Sequence, residues 1–153
     1  MRIHHILFMC LILACNSRER NIAKLPPINY PVEDIKLTLS QEESLKASMA
    51  RGKEIYNDFC INCHMADGKG VGRTYPPLAN SGYLKEKQEE SMRGIKYGMQ
   101  GRIVVNGKVY NNAMMPMGLD DREVADVMNY INNSWGNKNE TLITAQQVSK
   151  IEK

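Results

Sequence analysis

Histidine and cysteine are scarce in this chain of 153 residues, with three of the first and four of the second. A structural zinc site takes four nitrogen or sulfur ligands, so there is little from which to build one. Positive charge is also thin. A formal net charge of +3 argues against nucleic acid as a partner, because such binding needs a dense basic patch. No apolar run reaches the roughly 18–20 residues of a membrane-spanning helix. No pair of carboxylates and no nucleophile with its base can be picked out as a catalytic constellation. What is present is ordinary: 42% hydrophobic and 24% charged residues, neither a disordered nor a fibrous composition. The length suits one domain with appendages.

The first appendage is N-terminal. Arg2 precedes a short apolar core, Ile6 to Ala14, of the size of a signal-peptide core and too short to span a bilayer. Residues 1–14 therefore read as a signal peptide. Its end, Ile12-Leu13-Ala14-Cys15, resembles a bacterial lipobox. Small Ala14 directly before Cys15 favours lipid modification of Cys15 over an ordinary cleavage that leaves it a bystander. The expected location is the bacterial cell envelope, periplasm-facing, with the membrane reached through the N-terminal lipid. Removal of residues 1–14 takes away Cys10, His4 and His5, and His64 becomes the sole imidazole.

That histidine ends Cys60-Ile61-Asn62-Cys63-His64. Two cysteines three positions apart, followed at once by histidine, form the attachment pattern for c-type haem. The thiols add across two vinyl groups of one porphyrin, and the adjacent neutral imidazole is placed to be the proximal iron ligand. The competing readings are half a zinc site or a redox dithiol. The first lacks partners, the second lacks a βαβ pattern, and neither needs the histidine. One covalent haem c through Cys60 and Cys63 is expected. A second covalent haem, a bis-histidine iron and an internal disulfide are excluded by the same inventory.

Around this motif the chain divides by composition. Residues 15–39 are polar and then proline-rich (Pro26, Pro27, Pro31). They read as a tether of extended backbone, either a free spacer or laid against the domain by its apolar residues. A domain is expected over 40–137. Ser40 with Glu43 suggests a helix start, and apolar residues at intervals of three and four from Leu45 to Phe59 carry a helix from Gln41 to about Asp58. Gly52 inside it is either tolerated or a point where another helix crosses. Gly68, Gly70 and Gly72 make a loop. Residues 81–97 read as mainly helical. Asn106-Gly107 between β-branched residues signals a type I′ hairpin over 102–110. Asp120 with Glu123 starts another helix, with Val124, Val127, Met128, Ile131 and Trp135 on one face. Thr144 with Gln147 caps a short helix in a loosely held tail, 138–153. Iron needs a sixth ligand, and a methionine thioether is the available chemistry. Met65 is excluded by its place beside His64, which leaves Met99, Met114, Met115 and Met117 open.

The motif, the glycine loop, Tyr75-Pro76-Pro77-Leu78 and the run from Leu119 to Asn137 together resemble a class I bacterial cytochrome c. The resemblance covers the domain and implies an all-α fold of three to four helices around one covalent haem, with a short β-hairpin insertion. It implies that the Pro76 carbonyl accepts the other imidazole hydrogen of His64, fixing its tautomer, and that Leu78 packs on the ring. A ligand methionine directly before proline selects Met115. The first and last helices of the domain should cross with Gly52 and Tyr56 against Tyr130. The implied role is electron carriage, not enzyme catalysis, between redox protein partners such as a quinol-oxidising complex, a dehydrogenase or a terminal oxidase. The alternative is a haem enzyme or gas sensor with an open or labile sixth position.

Overall fold

Nothing between Val32 and Arg51 breaks a helix, since the stretch holds neither proline nor glycine. In the computed structural model, which describes residues 32–153, helix α1 runs through it as Val32–Phe59. The expected start at Gln41 is thus too late. A Ser-x-x-Glu pattern can cap a helix, but it cannot end one that is already running. The tether expected over 15–39 gives up its last eight residues to α1. The expected signal peptide, Cys15 and the rest of the tether lie outside the described residues.

The remaining elements follow in order: α2 (Ile61–His64), α3 (Gly82–Glu86), α4 (Gln88–Tyr97), β1 (Ile103–Val105), β2 (Lys108–Tyr110), α5 (Asp121–Ile131) and α6 (Ala145–Ser149). The described fold is therefore mainly helical with one small antiparallel hairpin. Only α1, α4 and α5 exceed two turns. The helix expected over 81–97 is interrupted at Lys87, whose backbone leaves helical geometry. Its N–H still closes on the Tyr83 carbonyl, and its own carbonyl takes Ser91 N–H at 2.9 Å and the Ser91 hydroxyl at 2.7 Å. The joint therefore leaves no stranded backbone group.

The hairpin forms where the sequence places it. Asn106 and Gly107 both take positive φ, 49° and 75°, as a type I′ turn requires, and Ile103 pairs with Tyr110 across the strands. Alternation sends Val105 and Tyr110 inward, while Val104 and Val109 stay in solvent.

The core is made where α1 crosses α5. At Gly52 a Cβ would run into the Asp126 carbonyl and the Tyr130 Cβ, so glycine is there to let two backbones approach. Below the crossing, Tyr56, Tyr130 and Trp135 pack ring on ring at 4.9–5.5 Å between centroids. Such pairs contribute about 0.5–1.5 kcal/mol beyond burial. A polar network ties the same helices. Asp126, 4% exposed, accepts Ser48 Oγ at 2.5 Å and the Arg51 guanidinium at 2.6 and 2.7 Å. Arg51 is held above its ordinary pKa by that carboxylate. Helix α5 begins with a reciprocal cap between Asp120 and Glu123, worth about 0.5–2 kcal/mol.

The tail is not loosely held. Helix α6 has the Thr144–Gln147 cap read from sequence, but Ile143, Val148 and Ile151 are buried in the main core. The Asn129 amide bonds both the N–H and the carbonyl of Ile143, at 2.9 and 2.8 Å. Three apolar residues spaced five and three apart look sparse in a polar segment. They suffice because α4 and α5 present a groove for them.

Candidate functional site

The Cys60–His64 motif is one turn of helix. His64 N–H closes on the Cys60 carbonyl at 2.9 Å, which brings positions i, i+3 and i+4 to one face. Cys60, Cys63 and His64 all lie on the wall of a single cavity. The turn is stopped at Met65, which takes a φ of 65°. That is a costly backbone for methionine, and it is held by the Tyr56 hydroxyl donating to the Met65 carbonyl at 2.7 Å.

The glycine loop then folds back beneath the histidine. Gly70 N–H bonds the His64 carbonyl at 3.0 Å. A Cβ on Gly70 would collide with the backbone carbonyls of Tyr75 and Pro76. The Pro76 carbonyl can therefore reach His64 Nδ1, at 3.0 Å. A carbonyl can only accept, so Nδ1 carries the hydrogen and Nε2 keeps its lone pair. Burial pushes the His64 pKa down, and the Pro76 contact opposes this only in part. The imidazole is neutral, and its Nε2 lone pair can bind a metal. Burial also raises the Cys60 thiol to about 11, with the neighbouring Cys63 adding to the effect.

The cavity is open to solvent at its mouth and lined mostly by apolar side chains, the character of a small-molecule or cofactor site. Cys60, Cys63, His64, Pro76, Pro77 and Leu78 line it together with Met99, Met114 and Met117, and Ile95, Met128 and Ile131 are among the residues that complete the lining. An apolar slot with two thiols and an imidazole on its wall, and thioethers lining it as well, suits a flat apolar macrocycle with a metal at its centre. The residues fit a haem.

The structure does not put Met115 on this wall. Its side chain is 69% exposed, whereas Met114 and Met117 line the cavity. Met114 sits in an isolated antiparallel bridge with Met99, and side chains alternate along such extended backbone. With Met114 turned in, Met115 is turned out. The rule that selected Met115, adjacency to proline, carries no information about which face the side chain takes.

Several wall residues come from elements outside the motif and its loop, the sequence-signalled hairpin among them. Ile103 and Val105 come from the hairpin, and Tyr83 from α3. Gly94, legible only as a helix weakness, leaves room for the Met99 side chain, whose Cε would lie 3.1 Å from an added Cβ. Asn137 joins the Leu78 carbonyl, the Ile131 carbonyl and the Ser81 N–H. It thereby fixes the loop after Pro77 to the end of α5, across 59 residues of chain that no short window can see.

The family model for cytochrome c matches residues 49–135. Cytochrome c-552 of Thermus thermophilus is 34% identical over 118 residues, covering 70% of this chain and 78% of that protein. The cytochrome c subunit of the quinone-type alcohol dehydrogenase of Gluconobacter oxydans is 31% identical over 103 residues, covering 65% of this chain and 21% of the subunit. The gluconate 2-dehydrogenase cytochrome c subunit of Pantoea cypripedii is 32% identical over 105 residues, 67% of this chain and 24% of that one. The matched segment holds the thiols, the imidazole, its carbonyl partner and the cavity methionines, and the chain belongs to the cytochrome c family, in the class I c-type group.

Proposed function

We propose that the protein is an electron carrier with one haem c, which Cys60 and Cys63 would bind and whose iron His64 and Met114 would hold. The observation that carries this is the cavity, with a neutral imidazole of fixed tautomer and a thioether both on its apolar wall. When bound, the haem supplies a one-electron Fe(III)/Fe(II) couple, and thioether ligation raises its potential relative to harder ligands. The protein's part is positioning. The Pro76 carbonyl orients His64 and increases its basicity. Leu78, Ile95 and Met128 exclude water from the cavity. The Met99–Met114 bridge holds the thioether in place. If His64 and Met114 both held the iron, the chain would leave it no position for a substrate, which supports carriage over catalysis.

The relatives named as dehydrogenase subunits support redox protein partners, a quinone-linked dehydrogenase among them. The lipobox-like Ile12-Leu13-Ala14-Cys15 supports attachment to the cell envelope by a lipid on Cys15, with the domain facing the periplasm. Two experiments test the reading. Intact mass of the purified protein should exceed the chain by one haem and lose that increment in a Cys60→Ala/Cys63→Ala variant. The reduced protein should be inert to carbon monoxide at neutral pH; rapid binding would overturn carriage in favour of a gas-binding or peroxidase-like site. For the anchor, Cys15→Ser should move the protein from the membrane to the soluble fraction, and an unchanged distribution would remove the lipid from the account.

A further inference from the structure

The family match ends at residue 135, yet the segment beyond it is bonded to the end of α4 in a specific way. Tyr97 OH donates to the Ile151 carbonyl at 3.1 Å. Lys96 Nζ donates to the Val148 carbonyl at 3.1 Å and also meets Asp121 of α5 at 2.7 Å. Arg93 Nε donates to the Glu152 carbonyl at 2.9 Å. The last two turns of α4 therefore hold carbonyls at and just after the C-terminus of α6, where cations are favoured electrostatically. From the other side, Asn129 of α5 clips Ile143 through both of its backbone groups. The tail is fastened at one end to α5 and at the other to α4, with Val148 buried between them.

What α4 carries gives this strap its meaning. One residue after Tyr97 the chain turns at Gly98, and Met99 exchanges both backbone hydrogen bonds with Met114. Met117 N–H reaches back to the Ile95 carbonyl at 3.4 Å. The methionine loop is thus held at two points, Met114 to Met99 just beyond the end of α4 and Met117 to Ile95 in its last turn.

We propose that the C-terminal segment 143–152 is a latch that keeps the methionine loop closed over the cavity, with Tyr97 and Lys96 as positioning residues. This rests on the reading that Met114 is the sixth ligand. Loss of the latch frees the last turn of α4, and the open form of the loop gains population. A net intramolecular hydrogen bond contributes about 0.5–1.5 kcal/mol, so removing one should raise the open fraction about twofold to twelvefold. Carbon monoxide binds only the open form, and its apparent binding rate reports that fraction.

The test uses the full holoprotein, Tyr97→Phe, Ile151→Ala and a chain ending at Asn139. Binding of carbon monoxide to the reduced form and the far-red methionine-to-ferric-haem absorption are both measured. Arg51→Ala, which breaks the α1–α5 ion pair with Asp126 away from the latch and the methionine loop, is the control for general destabilisation. The latch predicts about twofold to twelvefold faster binding in Tyr97→Phe, more in Ile151→Ala, and no change in Arg51→Ala. Equal rates in the first two variants and the parent would overturn it, as would equal acceleration in the control. If the truncated chain takes up no haem, the two point variants decide. Absence of the far-red absorption from the parent protein would instead remove the methionine ligand, and the latch with it.

Discussion

Met99 and Met114 face each other as an antiparallel pair, each donating its backbone N–H to the other's carbonyl at 2.8 Å. Both side chains line the cavity. The pair is a two-bond staple, and it sets the phase of the loop that follows.

That phase makes the first prediction. Met114→Ala should abolish the far-red absorption of the ferric protein and open the reduced protein to carbon monoxide. Met115→Ala should leave both properties as they are, since it removes a solvent-exposed side chain. The opposite pair of results would show that Met115 turns inward when haem is present.

Gly52→Ala should destabilise the holoprotein by about 2–3 kcal/mol, the cost of forcing apart closely packed elements. The added methyl meets the backbone carbonyl of Asp126, which cannot step aside as a flexible side chain could. Urea unfolding measures the loss. A midpoint equal to the parent's would mean that the two helices do not pack closely at this point.

Asp126→Ala should cost about 2–3 kcal/mol, because it strips the partner from Ser48 and Arg51 and buries a cavity in place of a charged acceptor. Arg51→Ala should cost less. The arginine is nearly half exposed, and Asp126 keeps the Ser48 hydroxyl. Thermal unfolding of the two variants side by side gives the ordering.

Tyr56 should make stability fall at alkaline pH. Burial, chiefly, raises its phenol above the ordinary value of 10.0. The unfolded chain then loses this proton before the folded chain does. Stability is unaffected below about pH 10 and declines as the pH rises beyond it. Tyr56→Phe should lose this part of the slope, which a series of urea titrations between pH 8 and 11 would reveal.

Cys60→Ala/Cys63→Ala should leave the domain largely unfolded. The apolar side chains that line the cavity, Leu78, Leu84, Ile95, Met128 and Ile131 among them, lose their packing partner when haem is missing, and a domain of this size has little stability to spare. Far-ultraviolet circular dichroism resembling the holoprotein would contradict this.

Features legible from sequence share one property: a few adjacent residues fix both their chemistry and their backbone. Asn106-Gly107 allows little but a tight turn. The Asp120–Glu123 and Thr144–Gln147 pairs close on themselves. Cys60, Cys63 and His64 come together within one turn of helix. Features that escaped depend on distant chain. Helix α1 continues upstream of Ser40 because no residue stops it. The break at Lys87 shows no glycine or proline. The tail is buried because α4 and α5 offer it a groove, and the inward face at Met114 is set by a partner 15 residues earlier.

The α1–α5 crossing also says when the cavity can exist. Cys60 lines the cavity and packs against the core cluster, one turn of helix beyond Tyr56. Gly52 and Asp126, which pin α1 to α5, are 74 residues apart, so that packing must await most of the chain. On the proposed reading the thiols and the imidazole are brought together locally, within one turn, while the shell around the ring is completed only when the far end of the domain has joined it.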